Sequence, residues 1–357
     1  MPAAWMAGLV LAVAWGSPGR APAAETSPGC SGAASGGIEF LCGPHNVEDL
    51  ARIPGSPLLI GSGGAGAAPA GALYLIDTHA RTGVVLTPDL TGKAWDEYGG
   101  CPGALDLRTF HPHGIALRRG SANHHLLYVV NHGARESIEL FDVDATAAPQ
   151  LAWVGCVLLP DGASGNAVAP LPDGGFVATQ FFDTRRGDWI RQLVGLERTG
   201  AAFVWHAKDG FRQICGSVAS GDNGIEVSAD GRWVFVNLWP ENRIVRLSLD
   251  GSRKAASIPV DFMPDNLHWG EDGTLLVGGH ITSMRLIAGC KRQACPVDWA
   301  LARLDPATLK VTYLLWEKGS AAFDGVTGAL EVDGALWLST FRGDRVASIR
   351  LPLPPLR

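Results

Sequence analysis

A turn followed by a strand of alternating apolar residues recurs six times along this chain, and this repeat constrains the fold more than any other feature. The six segments are IPGSPLLIGSG, ANHHLLYVVNHG, LPDGGFVATQ, SADGRWVFVN, GEDGTLLVGG and EVDGALWLST. Four of them carry Asp-Gly at the turn, which is a strong hairpin signal because both residues tolerate positive φ. The repeats start on average about 56 residues apart, which is close to the length of one four-stranded propeller blade with its loops.

A further apolar strand follows each repeat, and the six units together cover nearly all of the chain beyond its N-terminal segment. We therefore predict an all-β fold, a single six-bladed β-propeller with four-stranded blades over residues 25–357. A pair of β-sandwiches is the structural alternative, but six similar units favour radial repetition. The composition agrees with a turn-rich β protein, since charged residues make up only 18% while the chain holds 46 Gly and 23 Pro.

The first 24 residues have the features of a signal peptide. The apolar run AAWMAGLVLAVAWG is followed by Ala21-Pro22-Ala23, a small-x-small cleavage site, although no Lys or Arg precedes the run. A short membrane anchor is the alternative, but the run is too short to span a bilayer comfortably, and no other stretch could do so. We therefore expect residues 1–24 to be removed and the protein to be secreted or periplasmic, without a membrane span.

Cysteine usage and net charge narrow the class of protein further. Seven cysteines fit an exported protein that forms disulfides, and their spacing does not resemble a zinc site. Cys290 and Cys295 flank a short polar loop and are the easiest pair to join; Cys30 and Cys42 could pair near the N-terminus, and one cysteine must remain unpaired. The net charge of -6 has no basic block behind it, so we expect no nucleic-acid partner.

Polar residues recur in the strand that precedes each hairpin. The first strand of each propeller blade lines the central channel, so residues at one phase of these strands should converge on one mouth of that channel. The residues at this phase are Glu48, His113, Asn166, Asn223, the pair Asp265-Asn266, and Asp324. An Asn-Gly or Asp-Gly at a strand start is usually only turn chemistry, which would explain Asp324. Five such oxygen donors at equal phase are much harder to explain in that way.

The oxygen donors of this set point to calcium. Two carboxylates and three amides provide hard oxygen ligands, which select Ca²⁺ over zinc or copper. Five protein oxygens leave room in a shell of six to eight ligands for water or a substrate carbonyl, so an open, catalytic site is favoured over a closed structural one. The predicted ligands are Glu48, Asn166, Asn223, Asp265 and Asn266.

The chain resembles the paraoxonase/arylesterase family, and more distantly the gluconolactonase/regucalcin propellers. The resemblance is carried by VEDL, FHPHGIAL, YVVNH, GNAVA, DNGIEVSADGRWVFV and PDNLHW…GTLLVGGH, of which HPHGIA followed by VVNH is the most specific part. It implies a catalytic calcium on the five ligands just named. It also implies that His113 helps to activate a water and that His132 passes the proton onward, roles suited to a side chain that titrates near neutral pH.

Departures from the family pattern affect a second calcium and the pocket. The resemblance implies a buried second site at Asp49, the backbone carbonyl of Ile115 and an Asp after the catalytic Asn, where this chain has Ala167. We therefore expect one calcium. His280 matches a pocket histidine of the family, and Phe181 and Phe182 stand where the family has polar residues, so the pocket wall should be more apolar. The family's disulfide between the termini has no counterpart after Cys295, so the propeller must close differently.

The sequence thus predicts an exported calcium-dependent hydrolase of lactones or aryl esters. The metal would polarise the substrate carbonyl, and a histidine-assisted water would attack it. Phosphotriester hydrolysis on the same calcium is the alternative activity. From a different class, a non-catalytic propeller that binds a ligand or a partner protein is also compatible, because propellers host many functions.

Overall fold

The computed structural model describes residues 37–66, 68, 70–146, 148–290 and 295–353. Within these ranges the chain forms six antiparallel sheets of four strands each, which confirms the predicted six-bladed β-propeller. The proposed signal peptide, residues 1–24, and Cys30 lie outside the described residues. Of the helices that the structure describes, none combines the length and the apolarity needed to cross a membrane.

The strands run through the six blades in chain order, except that the first strand belongs to the last blade. Strand β1 (Ile38–Cys42) forms the outer edge of blade 6. Blade 1 consists of β2 (Val47–Arg52), β3 (Leu58–Gly63), β4 (Ala72–Asp77) and β5 (Thr82–Val85). Blade 2 consists of β6 (Pro112–Arg119), β7 (His124–Asn131), β8 (Ser137–Asp144) and β9 (Gln150–Leu158). Blade 3 consists of β10 (Ala163–Pro170), β11 (Phe176–Asp183), β12 (Ala201–His206) and β13 (Gly210–Gln213).

The second half of the chain repeats this arrangement. Blade 4 consists of β14 (Asp222–Val227), β15 (Trp233–Leu238), β16 (Arg243–Ser248) and β17 (Ala256–Pro259). Blade 5 consists of β18 (Met263–Trp269), β19 (Leu275–Ile281), β20 (Asp298–Leu304) and β21 (Val311–Glu317). Blade 6 consists of β22 (Val326–Val332), β23 (Ala335–Thr340) and β24 (Arg345–Arg350), together with β1.

Two short α-helices lie in the connections after β11 and β19. Helix α1 (Trp189–Val194) begins after Asp188, whose side chain accepts a hydrogen bond from the Ile190 amide. Helix α2 (Met284–Gly289) begins after Ser283, which caps it in the same way. The two helices contact each other, so the connections of blades 3 and 5 meet.

Strand pairing closes the propeller between its two ends. Strand β1 pairs antiparallel with β24, with Ile38 opposite Ile349 and Cys42 opposite Arg345. This pairing covers the edge that β24 would otherwise expose, a common requirement of sheets. The propeller is thus closed by strand pairing. This agrees with the expectation that it does not close through a disulfide formed by a cysteine after Cys295.

Apolar side chains fill each of the six gaps between neighbouring blades. The gap between blades 2 and 3, for example, holds Tyr128 and Phe176, and the gap between blades 5 and 6 holds Trp299 and Leu336, all essentially without solvent exposure. Equivalent clusters occupy the other four gaps. This explains why the strands are apolar on both faces, and it makes the six blades a rigid support for the residues at the channel.

Two disulfides join described cysteines. The predicted Cys290–Cys295 pair is confirmed. The second joins Cys101, in the connection after blade 1, to Cys156 on β9, a pairing that the sequence spacing did not suggest. Cys215 is a free, exposed thiol, consistent with one cysteine left over.

Candidate functional site

The inner strand of every blade has a β-bulge at the same level, and the bulges carry the predicted site residues. The register of each inner strand shifts against its neighbour at Glu48, His113, Asn166, Asn223, Asp265-Asn266 and Thr327. Bulges re-aim side chains and are frequent at active sites. We call these seven residues the bulge ring. The structure therefore brings together all five residues that the sequence predicted as calcium ligands.

Blade 6 contributes Thr327 to the bulge ring, while Asp324 has the turn role that the sequence already suggested for it. Asp324 precedes β22 and does not belong to the bulge ring; its carboxylate accepts hydrogen bonds from the Val297 amide at 3.0 Å and from Arg342 Nε at 2.9 Å. Thr327 stands at the bulge, and its hydroxyl donates to the backbone carbonyl of Glu48 at 2.6 Å. Asp324 is therefore a turn residue neutralised by arginine, and blade 6 adds no charge to the bulge ring.

Three buried oxygens of the bulge ring have no hydrogen-bond partner among the described residues. They are Glu48 Oε2, Asn166 Oδ1 and Asn223 Oδ1. The other atoms of these side chains are engaged: Asn266 Nδ2 donates to Glu48 Oε1 at 2.9 Å, and Asn166 Nδ2 lies 3.2 Å from His113 Nε2. Buried polar atoms are normally satisfied, and leaving them unpaired is costly. These oxygens have the chemistry and the burial of ligands for a hard cation.

Electrostatics support the same conclusion. Burial raises the pKa of Glu48 well above its usual value, and the neighbouring carboxylates of Asp49 and Asp265 raise it further. Burial also raises the pKa of Asp265 to about 8, with Asp49 adding to the effect and a hydrogen bond from Asn223 opposing it. Two buried carboxylates beside each other favour a bound cation, which would compensate both charges.

The donor set fits calcium better than a soft metal. Three of the five predicted ligands are amides and two are carboxylates, the oxygen donors that Ca²⁺ prefers. Among the residues that the structure describes, no group of three or more His, Cys, Asp or Glu side chains is arranged to hold a metal. The amide and carboxylate donors of the bulge ring fit a calcium ion.

The two predicted catalytic histidines lie next to each other beside the bulge ring. The ring centroids of His113 and His132 are 5.0 Å apart, and His113 Nε2 lies 3.7 Å from Glu48 Oε1. Burial, followed by the nearby His132 and His111, lowers the pKa of His113 well below its usual value. His113 is therefore a neutral imidazole in contact with the candidate metal ligands.

Glu136 is a residue of the site that the sequence analysis missed. His132 Nδ1 lies 3.0 Å from both carboxylate oxygens of Glu136, and Glu136 Oε2 also accepts a hydrogen bond from the Gly165 amide at 3.0 Å. Glu136 lies in the connection between β7 and β8, four residues after His132. That spacing across a hairpin turn was the available signal, because it places the two side chains on the same side.

A group of aromatic side chains lies next to His280, which itself neighbours Asp265. His280 Nε2 lies 3.6 Å from Asp265 Oδ2, and His280 Nδ1 accepts a hydrogen bond from Trp239 Nε1 at 3.1 Å. Burial lowers the pKa of His280 to about 4, so this imidazole is neutral. The ring of Phe181 packs on Trp239 with centroids 5.7 Å apart.

Phe182, the second phenylalanine predicted for the pocket, contacts this aromatic group through Trp189 of helix α1. Phe182 stacks on Trp189 with centroids 6.2 Å apart, and Trp189 also contacts Phe181. The structure thus groups the three predicted pocket residues with two tryptophans that the sequence analysis did not single out.

The position predicted for a second calcium is occupied by protein hydrogen-bond donors. Asp49 Oδ2 accepts from the Ile115 amide at 2.8 Å, and Asp49 Oδ1 lies 2.8 Å from His268 Nε2. Burial opposes protonation of His268, but Asp49 and Glu226 outweigh it and raise its pKa to about 10. A protonated histidine therefore supplies the positive charge next to Asp49. Ala167, which stands where a further carboxylate was expected, is buried.

Comparisons with known proteins agree with this fold. A luciferin-regenerating enzyme is similar to this chain with a TM-score of 0.56 and 12% identity, over 88% of this chain and 96% of the enzyme. A putative gluconolactonase has a TM-score of 0.51 and 13% identity, over 91% and 95% of the two chains. A regucalcin, a calcium-binding protein from Agrobacterium tumefaciens, has a TM-score of 0.49 and 14% identity, over 87% and 90%. At such low identity the similarities to the luciferin-regenerating enzyme and the putative gluconolactonase show the fold alone.

The sequence comparison is more specific. The sequence model of the arylesterase family matches residues 48–340, which include every residue of the bulge ring and all five histidines named above. The match covers well over half of the chain, so this protein belongs to the arylesterase family, an assignment that implies an ester hydrolase.

Proposed function

We propose that this protein is an exported, calcium-dependent hydrolase of lactones or aryl esters. The observation that carries the proposal is the set of three buried, unpartnered oxygens on the bulge ring, from Glu48, Asn166 and Asn223. Together with Asp265 and Asn266, these residues would hold one calcium ion.

Calcium bound there would polarise the substrate carbonyl and stabilise negative charge on its oxygen. The histidine pair beside the bulge ring, His113 and His132, would take the proton of the attacking water. The water oxygen forms a bond to the carbonyl carbon, the bond to the alkoxy oxygen breaks, and the proton passes to that oxygen. The products are a carboxylic acid and an alcohol or phenol, which remain one molecule when the substrate is a lactone.

The pocket chemistry supports esters with an apolar or aromatic portion. Phe181, Phe182 and Trp189 pack on one another, and Phe181 also packs on Trp239, which is hydrogen-bonded to His280. Because Trp239 Nε1 can only donate, His280 Nδ1 must be the acceptor and the proton of this neutral imidazole is on Nε2. That N–H faces Asp265 and would help to orient its carboxylate.

Export is part of the proposal. Residues 1–24 have the signal-peptide pattern, and the disulfides Cys101–Cys156 and Cys290–Cys295 are typical of proteins in oxidising compartments. We therefore place the mature protein in the periplasm or the medium. Fractionation of expressing cells, with N-terminal sequencing of the mature protein, would test this.

A substrate panel assayed with calcium and with a chelator tests the activity. We expect hydrolysis of lactones or aryl esters that is lost on chelation, together with a lower melting temperature, because an ion bound to the native state stabilises it. Full activity in a metal-free preparation would exclude a catalytic calcium. Activity confined to phosphotriesters would favour the alternative reaction, and calcium binding without any hydrolysis would favour a ligand-binding propeller.

A further inference from the structure

Asp222 is a fully buried carboxylate, and neither of its oxygens has a hydrogen-bond partner among the described residues. It begins β14, directly before Asn223, but the charged side chains that act on it are Glu241 and Arg198, which lie outside the bulge ring. Glu241 has the same sign as Asp222, and the guanidinium of Arg198 donates to the backbone carbonyl of Val218. Asp222 therefore lacks the compensation that a buried carboxylate ordinarily has.

Two buried hydroxyls on the segments around Asp222 are unpartnered as well. Gly200 and Ala219 form an isolated antiparallel bridge, with hydrogen bonds of 3.0 and 3.3 Å, between the chain that leads into β12 and the chain that leads into β14. Thr199 and Ser220 flank this bridge, and their hydroxyl oxygens are buried without a partner in the described part of the chain. The bridge thus holds these hydroxyls and the Asp222 carboxylate on two joined segments.

Gly200 leaves space for a ligand at this bridge because it has no side chain. A Cβ at Gly200 would collide with Asp222 Oδ2 and would lie 3.0 Å from the backbone carbonyl oxygen of Gln180. Two oxygens from different blades therefore face the same side of Gly200. We call Asp222, Ser220, Thr199 and Gly200 the seam site, since they lie where blade 3 meets blade 4. Its donors are oxygens: a carboxylate, two hydroxyls and a carbonyl.

A cavity of about 470 Å³ lies next to the seam site. Its wall includes Glu241, whose carboxylate accepts a hydrogen bond from the Ser220 amide at 3.0 Å. Glu241 is half-buried and borders this cavity, so solvent screens its charge, while Asp222 is out of reach of water. The charge that needs compensation inside the protein is therefore that of Asp222 alone.

We propose that the seam site binds a monovalent cation, K⁺ or Na⁺, separate from the calcium of the bulge ring. Oxygen donors suit a hard cation, and a single positive charge balances the one carboxylate that water does not reach. A divalent ion would leave a buried positive charge without compensation. The cation would fix the start of β14 and with it the bulge at Asn223. Its effect is on stability, so the inference does not depend on the proposed hydrolysis.

Thermal unfolding in KCl, NaCl or choline chloride, with calcium saturating and ionic strength constant, tests the seam site. Choline is too large for it and supplies the same charge. At about ten times the dissociation constant, one of the alkali salts should raise the melting temperature by about 2–4 °C over choline, because an ion bound to the native state stabilises it. Asp222→Asn, which keeps the shape and removes the charge, should abolish this difference and keep the calcium content.

Asp230→Asn is the matched control, because Asp230 pairs with Arg232 in an exposed turn of the same blade and this variant should keep the full difference. The same melting temperature in all three salts, or a difference that survives in Asp222→Asn, would overturn the proposal. If Asp222→Asn does not fold, Ser220→Ala decides. It should move the midpoint of the salt titration about tenfold higher, the worth of one bond to a charged group. An unchanged midpoint would place the ion elsewhere and overturn the seam site.

Discussion

Glu48 and Asp49 are consecutive residues of the same strand, yet the hydrogen bonding of their carboxylates is opposite. Glu48 Oε2 is buried without a hydrogen-bond partner among the described residues. Both oxygens of Asp49 are occupied, Oδ1 by the Leu50 amide and by His268 and Oδ2 by the Ile115 amide, each at 2.8 Å. Within a few ångströms, one buried carboxylate is satisfied by the chain and the other is left open.

The difference lies in where the compensating positive charge comes from. Asp49 is paired with His268, which also lies 3.7 Å from Glu226, so one imidazolium serves two carboxylates. The other carboxylate of the bulge ring belongs to Asp265, and its negative charge raises the pKa of Glu48 further. A buried charge that lacks a partner is costly. This contrast supports the proposal that an external cation binds beside Glu48, while Asp49 is paired with a cation of the chain itself.

Removing Asp265 should have the largest effect on activity. Asp265→Ala deletes one of two carboxylates from the bulge ring, so calcium affinity and hydrolysis should fall together, with a loss of at least about 10²-fold in kcat/KM at low calcium. Equilibrium dialysis and kinetics on the same preparation measure both. Asp272→Ala is the control, because Asp272 lies in an exposed turn of the same blade. Calcium binding retained in Asp265→Ala would remove Asp265 from the ligand set.

Removing His268 should have the largest effect on stability. His268→Ala leaves Asp49 and Glu226 buried without their shared cation, which should lower the free energy of unfolding by about 3–5 kcal/mol. Urea denaturation at fixed calcium measures this. His124→Ala is the matched control, because the exposed His124–Asp142 pair should contribute no more than about 1 kcal/mol. Equal stability of the two variants would show that Asp49 does not depend on His268.

Blade number, strand positions and the common level of the five predicted calcium ligands followed from the sequence because they are local and periodic. The Asp-Gly turns and alternating strands locate each hairpin, and the second strand of every blade begins inside the segment quoted for its repeat. The same phase placed Asn166 and Asn223 on neighbouring inner strands. In blade 6 the motif marked only the turn at Asp324-Gly325, as expected, and it did not reveal that Thr327 occupies the bulge.

Contacts between distant segments were not accessible from the sequence. His268 meets Asp49 across 219 residues of chain, and Trp239 meets His280 across 41. The sequence around these residues does not indicate which residue each one contacts. In the local pattern, each would be an ordinary member of an apolar strand or a connection. The compensation of Asp49 by a histidine could therefore be found only once the blades were assembled around the channel.

The number of bound calcium ions tests the difference between Glu48 and Asp49. Because the Asp49 oxygens already accept three hydrogen bonds, the wild-type protein should retain one tightly bound calcium per chain after stringent washing. Elemental analysis of the washed protein provides the number. Two tight equivalents would show that Asp49 and backbone oxygens suffice for a second site. In His268→Ala, which removes one of the two partners of Asp49 Oδ1, a second and weaker equivalent should appear as calcium is raised.

The smallest effect that we expect comes from the hydrogen bond behind Asp265. Trp239→Phe removes the indole N–H that fixes the His280 tautomer but keeps an aromatic ring against Phe181. Without that donor, His280 can rotate or place its proton on Nδ1, and the N–H facing Asp265 Oδ2 is lost for part of the time. Residues that orient a metal ligand through one intermediary are typically worth 10–100-fold in affinity or activity. Because the 3.6 Å separation is long for a hydrogen bond, the lower end, about 10-fold in calcium affinity, is expected.

Trp189→Phe provides the control for this last change, because Trp189 belongs to the same aromatic group and packs on Phe181 and Phe182 without contacting His280. Calcium titration of both variants, with the melting temperature as a check on folding, separates the two contributions. A loss confined to Trp239→Phe assigns the effect to the orientation of His280. Equal losses in the two variants would show that the aromatic packing matters and the hydrogen bond does not. Calcium binding by the oxygens of the bulge ring would then not depend on the Trp239–His280 hydrogen bond.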